Sequence, residues 1–399
     1  MVLRRDRAIR PLPPVWVMAV ALVAVAANLR IAITSIPPLL DAISSDLGLS
    51  HAAAGALTTL PVLCMGVFAP VASRIAHHTG AAGAVLGAVL GILAGTASRF
   101  AGDHVVVLYA GTFLCGVGIA VAGTLLPRLV KTYFPPERVG LVTGLYMLAM
   151  MGGAAASSAM AVPLADRLGS WQASLGSWSV VALVGAVAWA PFTVRANPHH
   201  TPDEEGPGRL PWRHPTAWLV AGYLALQSWC FYSAVTWLAP TYVEHGWSRQ
   251  SAGYLAAAFS GAQIVSGLLG PVLSDRTHDM RRLLLPAAAL GVAGSVGIWL
   301  APLTAPWLWA VVTGLGQGAA FSLALVLLVR YARTPEASGR LTGMAFLISY
   351  GIASIGPLAM GLVRDVTGGL SVVWAVLAAV GVVQGLVVLR LRPDLRRVD

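Results

Sequence analysis

The sequence predicts an all-α membrane protein: twelve transmembrane helices in two pseudo-symmetric six-helix halves, with both termini cytoplasmic. Three observations lead there. The 399 residues are 57% hydrophobic and only 11% charged, with a mean hydropathy of +0.75, whereas soluble domains carry about 25% charged residues. Apolar runs long enough to cross a bilayer, which takes about 20 helical residues, recur along the whole chain. Finally, the second half repeats the first at a near-constant spacing.

Apolar runs bounded by Gly, Pro and charges place helices near 15–40, 51–74, 81–98, 105–131, 138–162, 171–194, 216–243, 250–274, 283–302, 306–331, 338–363 and 371–391. The first run has no polar cleavage region after it, so it reads as a retained helix rather than a signal peptide. This divides the chain into a tail (1–14), an N-terminal bundle (15–194), a linker (195–215), a C-terminal bundle (216–391) and a second tail (392–399). The linker RANPHHTPDEEGPGRLPWRHP is the longest polar stretch. Its His199, His200 and His214 fit no metal geometry, so no metal or cofactor is expected. Cys64, Cys115 and Cys230 lie inside apolar segments at spacings that suit neither zinc nor a redox pair.

Orientation follows from Lys and Arg, which mark cytoplasmic loops. One side collects the basic tails, Arg74, Arg128, Lys131, Arg138, the linker arginines, Arg276, Arg281, Arg282, Arg330, Arg333 and Arg340. The other holds only Arg99, Arg167, Arg249 and Arg364. The net charge of +10 therefore reports topology in an inner membrane and not nucleic-acid binding. Trp16, Trp171, Trp218, Trp247, Trp307 and Trp374 fall near helix ends, where an interfacial belt is expected.

The repeat has four matching segments in order. LSHAAAG ending at Gly55 matches WSRQSAG ending at Gly253. GVGIAVAGTLLPRLV from Gly116 matches GQGAAFSLALVLLVR from Gly316. PPERVGLVTG ending at Gly144 matches TPEASGRLTG ending at Gly343. ADRLG near Asp166 matches RDVTG near Asp365. The offset stays at 198–200 throughout. Two such halves with a site between them describe a transporter architecture. Gly83, Gly87, Gly91 and Gly95 in the third helix, with Ala287, Gly291 and Ser295 in the ninth, form small-residue faces that serve either a sliding seam or static packing.

After the eighth helix the chain reads GPVLSDRTHDMRR, and after the second it reads APVASRIAHHTGA. The former resembles the cytoplasmic loop motif of the major facilitator superfamily, a resemblance that covers the whole chain. It implies that Asp275 and Arg276 latch helices on the cytoplasmic side. The first copy has Ser73 before Arg74 where the acid would stand. More narrowly, ANLRIAITSIPPLL in the first helix and LLPRLVKTYFPPERVGLVTGLY from Leu125 are similar to the cyanate and 2-nitroimidazole transporter family. That resemblance implies movement of a small anion or a compact polar aromatic.

Arg30 is the sharpest functional clue in the residues themselves. It sits inside the first apolar run, where a charge costs roughly 2.5–3.5 kcal/mol even on the lenient insertion scale, and arginine cannot shed its proton. All sixteen acids fall outside the apolar cores, and no histidine lies deep in a helix. A dedicated proton relay is therefore not expected. Arg30 faces either a hydrated cavity with an anion, which its fork of donors suits, or helix-end carbonyls. At offset 198 its repeat partner is Ser228, so the charge is not a duplicated scaffold feature.

Other candidate site residues follow from position. Thr34 lies one turn from Arg30, and Asn28 about 200° away. Gln227, Trp229, Tyr232 and Thr236 belong to the seventh helix, with the last three on one face. Gln263 and Gln317 lie near the midplanes of helices eight and ten, where amides bind substrate or bridge helices. Met147, Met150 and Met151 read as packing. Arg128, Lys131 and Arg330 form either a basic vestibule or the ordinary positive rim.

The sequence holds no Walker loop and no Ser-His-Asp constellation, so neither a nucleotide-driven pump nor a hydrolase is expected. The leading expectation is a monomeric secondary or facilitative carrier of a small, cyanate-like anion, working by alternating access around Arg30. The runner-up is an exporter of compact drugs such as nitroaromatics, against which stands the lack of proline beside Gly152 and Gly153 in helix five. A ligand sensor would need an output domain that the short tails and linker do not offer.

Overall fold

The computed structural model describes residues 15–193 and 210–399, and apart from one isolated bridge between Ala332 and Val398 all regular structure among them is helical. The N-terminal half comprises α1 (Val15–Thr34), α2 (Leu40–Leu47), α3 (His51–Thr79), α4 (Ala81–Ala97), α5 (Val105–Tyr133), α6 (Pro136–Leu168), α7 (Trp171–Ser177) and α8 (Ser179–Thr193). The C-terminal half comprises α9 (Pro215–Glu244), α10 (Arg249–Asp275), α11 (Arg281–Leu300), α12 (Pro306–Arg330), α13 (Pro335–Thr367) and α14 (Ser371–Arg390). The tail 1–14 and linker residues 194–209 lie outside the described residues.

Eleven stretches among the described residues are long and apolar enough to cross a membrane. The seventh expected span is filled by α9, which is not one of them. Most of α9 is buried against other helices, including Gln227, Ser228, Ser233 and Thr236. A helix surrounded by protein need not present an apolar surface to lipid, so its composition is diluted by polar residues. The expected sixth span is split at Trp178 into α7 and α8, and α6 and α13 run on to Leu168 and Thr367.

The first expected span also stops early, at Thr34 rather than 40. Pro37 and Pro38 carry no backbone N–H, so the last carbonyls of α1 need other donors. Ile33 O accepts from Ile36 N at 3.4 Å. Thr34 O accepts from Ser158 Oγ at 3.1 Å, and Ala32 O from Arg99 Nη2 at 2.9 Å. A short 3-10 turn, Pro37–Leu39, then leads into α2.

The sequence repeat reappears as repeated local geometry. Ser50 and Ser248 cap α3 and α10, their side chains accepting from Ala53 N and Ser251 N, an arrangement that satisfies orphan donors of the first turn. Pro136 and Pro335 open α6 and α13, where the missing N–H costs nothing. Gly169 and Gly368 close the same helices at φ 82° and 78°, a left-handed cap that glycine adopts without strain.

The halves meet chiefly through two helix pairs, α3 with α13 and α6 with α10. Under the repeat, α3 corresponds to α10 and α6 to α13, so these are one interface used twice. The apolar core has three parts. One, containing Ile36, Leu57, Trp237, Phe259 and Trp374, is built by both halves. It lies at the end opposite the start of α1 and the end of α14, called here the far end. The other two stay within one half each, around Val85 and Trp189 and around Leu284 and Leu327. The molecule is thus sealed at the far end and divided at the end that carries the termini.

Both small-residue faces lie inside a half. Gly95 meets Gly111 and Cys115 between α4 and α5, and Gly316 meets Gly291 between α11 and α12, which makes them static packing. The tryptophan belt is partial. Trp16, Trp218 and Trp307 are exposed, but Trp171 and Trp374 are buried. Their indoles bond inward, to Asp46 at 2.9 Å and Thr241 at 2.9 Å. All three cysteines are free and buried.

Candidate substrate site

A cavity of about 70 Å³ lies where the two halves part, with Arg30 of α1 in its wall. Arg30 is only 7% exposed. Its Nη1 donates to the Tyr232 hydroxyl of α9 at 3.3 Å, longer than the 2.9–3.0 Å typical of a strong N–H···O bond. The guanidinium carbon lies 5.0 Å from the centre of the Phe231 ring and 5.6 Å from that of Tyr232. Such cation–π contacts contribute about 0.5–2 kcal/mol each, more when desolvated. They offset only part of the cost of burying the charge. Among the described residues the bond to Tyr232 is the one protein hydrogen bond that the Arg30 side chain makes, and the residue lines the cavity.

The rest of the wall is mixed. Gln227, Ser228, Gln263 and Ser322 supply polar groups, and Met147, Met150, Met151, Ile264, Phe321 and Leu325 supply the apolar surface. Among the described residues no acid, lysine or histidine lines it. Several polar groups are already engaged with one another. Gln227 Nε2 donates to Gln317 Oε1 at 3.2 Å, Ser228 Oγ to Gln227 Oε1 at 3.3 Å, and Ser349 Oγ to Ser228 Oγ at 2.9 Å. The cavity therefore offers one fixed positive charge beside neutral polar and polarisable apolar groups, a surface suited to a single negative charge.

Not every residue expected at the site is there. Thr34 lies outside the cavity wall. It bonds Arg30 O at 2.9 Å and pairs with Ser157 Oγ at 2.7 Å, fixing α1 against α6. Asn28 points elsewhere, donating to Ala24 O at 2.8 Å and Val181 O at 3.2 Å. Trp229 packs against Gly356 of α13. Phe231, two residues on, takes its place against the guanidinium. Thr236 bonds Thr58 Oγ1 at 2.8 Å and belongs to the sealed far end. Gln317 stands behind Gln227, while Gln227, Gln263 and Tyr232 line the cavity.

Five contributors are not assigned to the site from sequence: Phe231, Tyr350 and the α6 methionines Met147, Met150 and Met151, which read as packing. Tyr350 carried a usable signal, a polar aromatic in mid-helix far from either interface.

Among the described residues, the basic side chains near the terminal end do not line the cavity. Arg330 donates to Thr277 O at 2.7 Å and to Ser274 O, capping the end of α10. Asp275 and Arg276 are exposed, and among the described residues neither has an ion-pair partner. The acid that is paired in this loop is Asp279, bonded to Arg281 Nη2 at 2.7 Å. That hydrogen bond holds the Asp279 carboxyl below the usual carboxylate range. Arg74 is exposed and Arg128 half-buried. The Lys131 side chain is outside the described residues.

A second arginine contradicts the expected charge map. Arg99, expected in a loop on the far side, is fully buried at the end of α4. Apart from its bond to Ala32 O, its Nε and Nη1 have no partner among the described residues. Arg30 is therefore not the only cation in the interior, but it is the one that reaches the cavity.

Residues 18–357 and 244–398 match the sequence profile described as Major Facilitator Superfamily. The chain belongs to this superfamily. It is 33% identical over 378 residues to the cyanate transport protein CynX of Escherichia coli (strain K12), covering 94% of this chain and 96% of that protein. It is 33% identical over 357 residues to the 2-nitroimidazole transporter of the same organism, covering 89% and 90%. In fold it is similar to a POT family transporter solved in complex with 5-aminolevulinic acid, with a TM-score of 0.76 and 12% identity over 95% of this chain and 96% of that one. The chain is thus a major facilitator transporter, a multi-pass membrane protein and not an enzyme. Its sealed far end and divided terminal end are features of this superfamily member's own packing, with Arg30 at the point where the halves separate.

Proposed function

We propose that this transporter carries a small monovalent anion by alternating access, with Arg30 as the group that holds it. The observation that carries the reading is that, among the described residues, Arg30 is the single ionised side chain lining a cavity between the halves. A buried cation without a counter-charge is costly, and a bound anion removes that cost. Cyanate, named for one relative, is of the right charge and size. Gln263 would hold its far atoms, Gln227 and Ser228 would shape the wall beside it, and Tyr232 and Phe231 would hold the guanidinium in place.

On this reading the positively charged loops lie on the cytoplasmic side of the inner membrane, so the terminal end opens inward. The two bundles, 15–194 and 216–391, rock about the central site as a monomer, joined by the linker 195–215. The loop residues Arg74, Arg128, Lys131, Asp275, Arg276 and Arg330 act at the cytoplasmic rim.

The test is uptake into proteoliposomes across a panel that includes cyanate, nitrite and 2-nitroimidazole. Saturable cyanate uptake that disappears in Arg30→Ala supports the reading, and normal uptake by that variant removes Arg30 from the site. A second reading, efflux of a compact nitroaromatic, is favoured by the ring of Phe231 and the methionine wall, which suit a flat, polarisable body. Saturable 2-nitroimidazole flux without cyanate flux would decide for it.

A further inference from the structure

We propose that the protein is a strict exchanger, one monoanion moving outward for each monoanion moving inward, an inference that rests on the anion reading above. The reason lies in what the empty carrier would have to do. To return without cargo, it must close the open end over Arg30 before the far end separates. The wall that would close on the guanidinium holds Met147, Met150, Phe321 and Leu325, and closure would shut bulk solvent out.

Nothing in the wall can neutralise it there. Among the described residues no carboxylate or histidine lines the cavity, and arginine does not release its proton. Gln227 and Ser228 offer dipoles already spent on Gln317 and on each other. Tyr232 gives one long hydrogen bond and the two rings give weak attraction. A bound monoanion, in contrast, makes the closed site neutral. Closure is therefore open to the loaded carrier and strongly disfavoured for the empty one, which makes exchange the working mode. A dianion leaves one uncompensated negative charge among apolar groups and is rejected for the same reason. A one-for-one swap of monoanions moves no net charge.

The experiment uses the full-length wild-type protein in liposomes and labelled cyanate as probe. The interior holds cyanate, nitrite, sulfate or only sucrose, and the membrane potential is clamped at zero or at a large value of either sign. Internal cyanate or nitrite is expected to raise initial uptake at least about tenfold over sucrose, internal sulfate is expected not to, and the clamp is expected to leave the rate unchanged. Equal uptake into sucrose-loaded vesicles, or accumulation driven by the potential, overturns the exchange proposal while leaving the anion reading intact. The absence of saturable flux for cyanate and nitrite under every loading overturns the anion reading, and exchange with it.

Discussion

Gly55 of α3 lies directly against the backbone carbonyl of Pro357 in α13, so that a Cβ at Gly55 would collide with it. Its repeat counterpart, Gly253 of α10, makes the same approach to Ser158 of α6, where a Cβ would meet the Ser158 carbonyl at 2.9 Å. Both contacts hold the far end shut, and both bring backbone to backbone, which only glycine permits. Gly55→Val and Gly253→Val should therefore wedge the far end apart. Overpacking of this kind costs about 1–3 kcal/mol. Uptake by either variant is expected to fall at least about tenfold while the protein remains monodisperse in detergent. Labelling from the far side, at a cysteine introduced by Ser228→Cys in a background lacking the native cysteines, should rise. Unchanged labelling would mean that the helices absorb the extra methyl groups by bending.

Arg30 is expected to be irreplaceable. Arg30→Ala removes the charge and its donors, and Arg30→Lys keeps the charge but loses the planar fork and the broad cation that spans Phe231 and Tyr232. Hydrogen bonds to a charged group contribute about 1.5–3 kcal/mol each. Loss of two on an anion predicts a fall in uptake of about a hundredfold or more for both variants. Tyr232→Phe removes only the 3.3 Å bond and should raise KM a few-fold with little change in maximal rate. Initial rates across a range of cyanate concentrations check all three, and a fully active lysine variant would show that charge alone suffices.

How far the site was legible in sequence depends on which physical rule governed each residue. The fold could be read because hydropathy and a 198–200-residue repeat act over many positions at once. Arg30 could be read because a charge in an apolar run is costly wherever it points. Thr34 and Asn28 were harder, because which neighbour a side chain meets depends on helix packing that no periodicity reveals. Phe231 was missed for Trp229 because the two differ by about half a turn, and only the position of α1 selects between them. Arg99 was misplaced for a different reason. It follows an apolar run and precedes a loop, the usual place for a solvated arginine. Its burial comes from the broken end of α1, whose Ala32 carbonyl lacks a helical donor once Pro37 and Pro38 end the helix.

Arg99 is predicted to matter to the scaffold and not to the substrate. Its single bond caps Ala32, and loss of that bond costs about 1–3 kcal/mol. Against this, its buried Nε and Nη1 have no partner among the described residues, and replacing such a charge with an apolar group of similar volume is often neutral or stabilising by about 1–4 kcal/mol. Arg99→Met should therefore leave the thermal midpoint unchanged or raised, with KM for the transported anion unaltered. A stable variant with a raised KM would instead place Arg99 on the substrate path.

The far-end closure is asymmetric at its rim, and the asymmetry is testable. Asp365, at the end of α13, accepts from the backbone of His51 at 3.1 Å and of Ala52 at 3.0 Å, and its carboxylate lies 2.7 Å from His51 Nδ1. It thereby caps the start of α3 across the two halves, where the first-turn donors and the helix dipole both favour a negative charge. Its repeat counterpart Asp166, at the end of α6, is exposed and has no partner among the described residues. Asp365→Asn keeps the shape but removes the charge, at a cost of about 1 kcal/mol. That shifts the balance between the two end states about fivefold toward far-end opening. Uptake from the far side by Asp365→Asn should change by a comparable factor, and Asp166→Asn should be indistinguishable from wild type. Equal effects at the two positions would mean that the rim is held by the general field of its charges and not by the α3 cap.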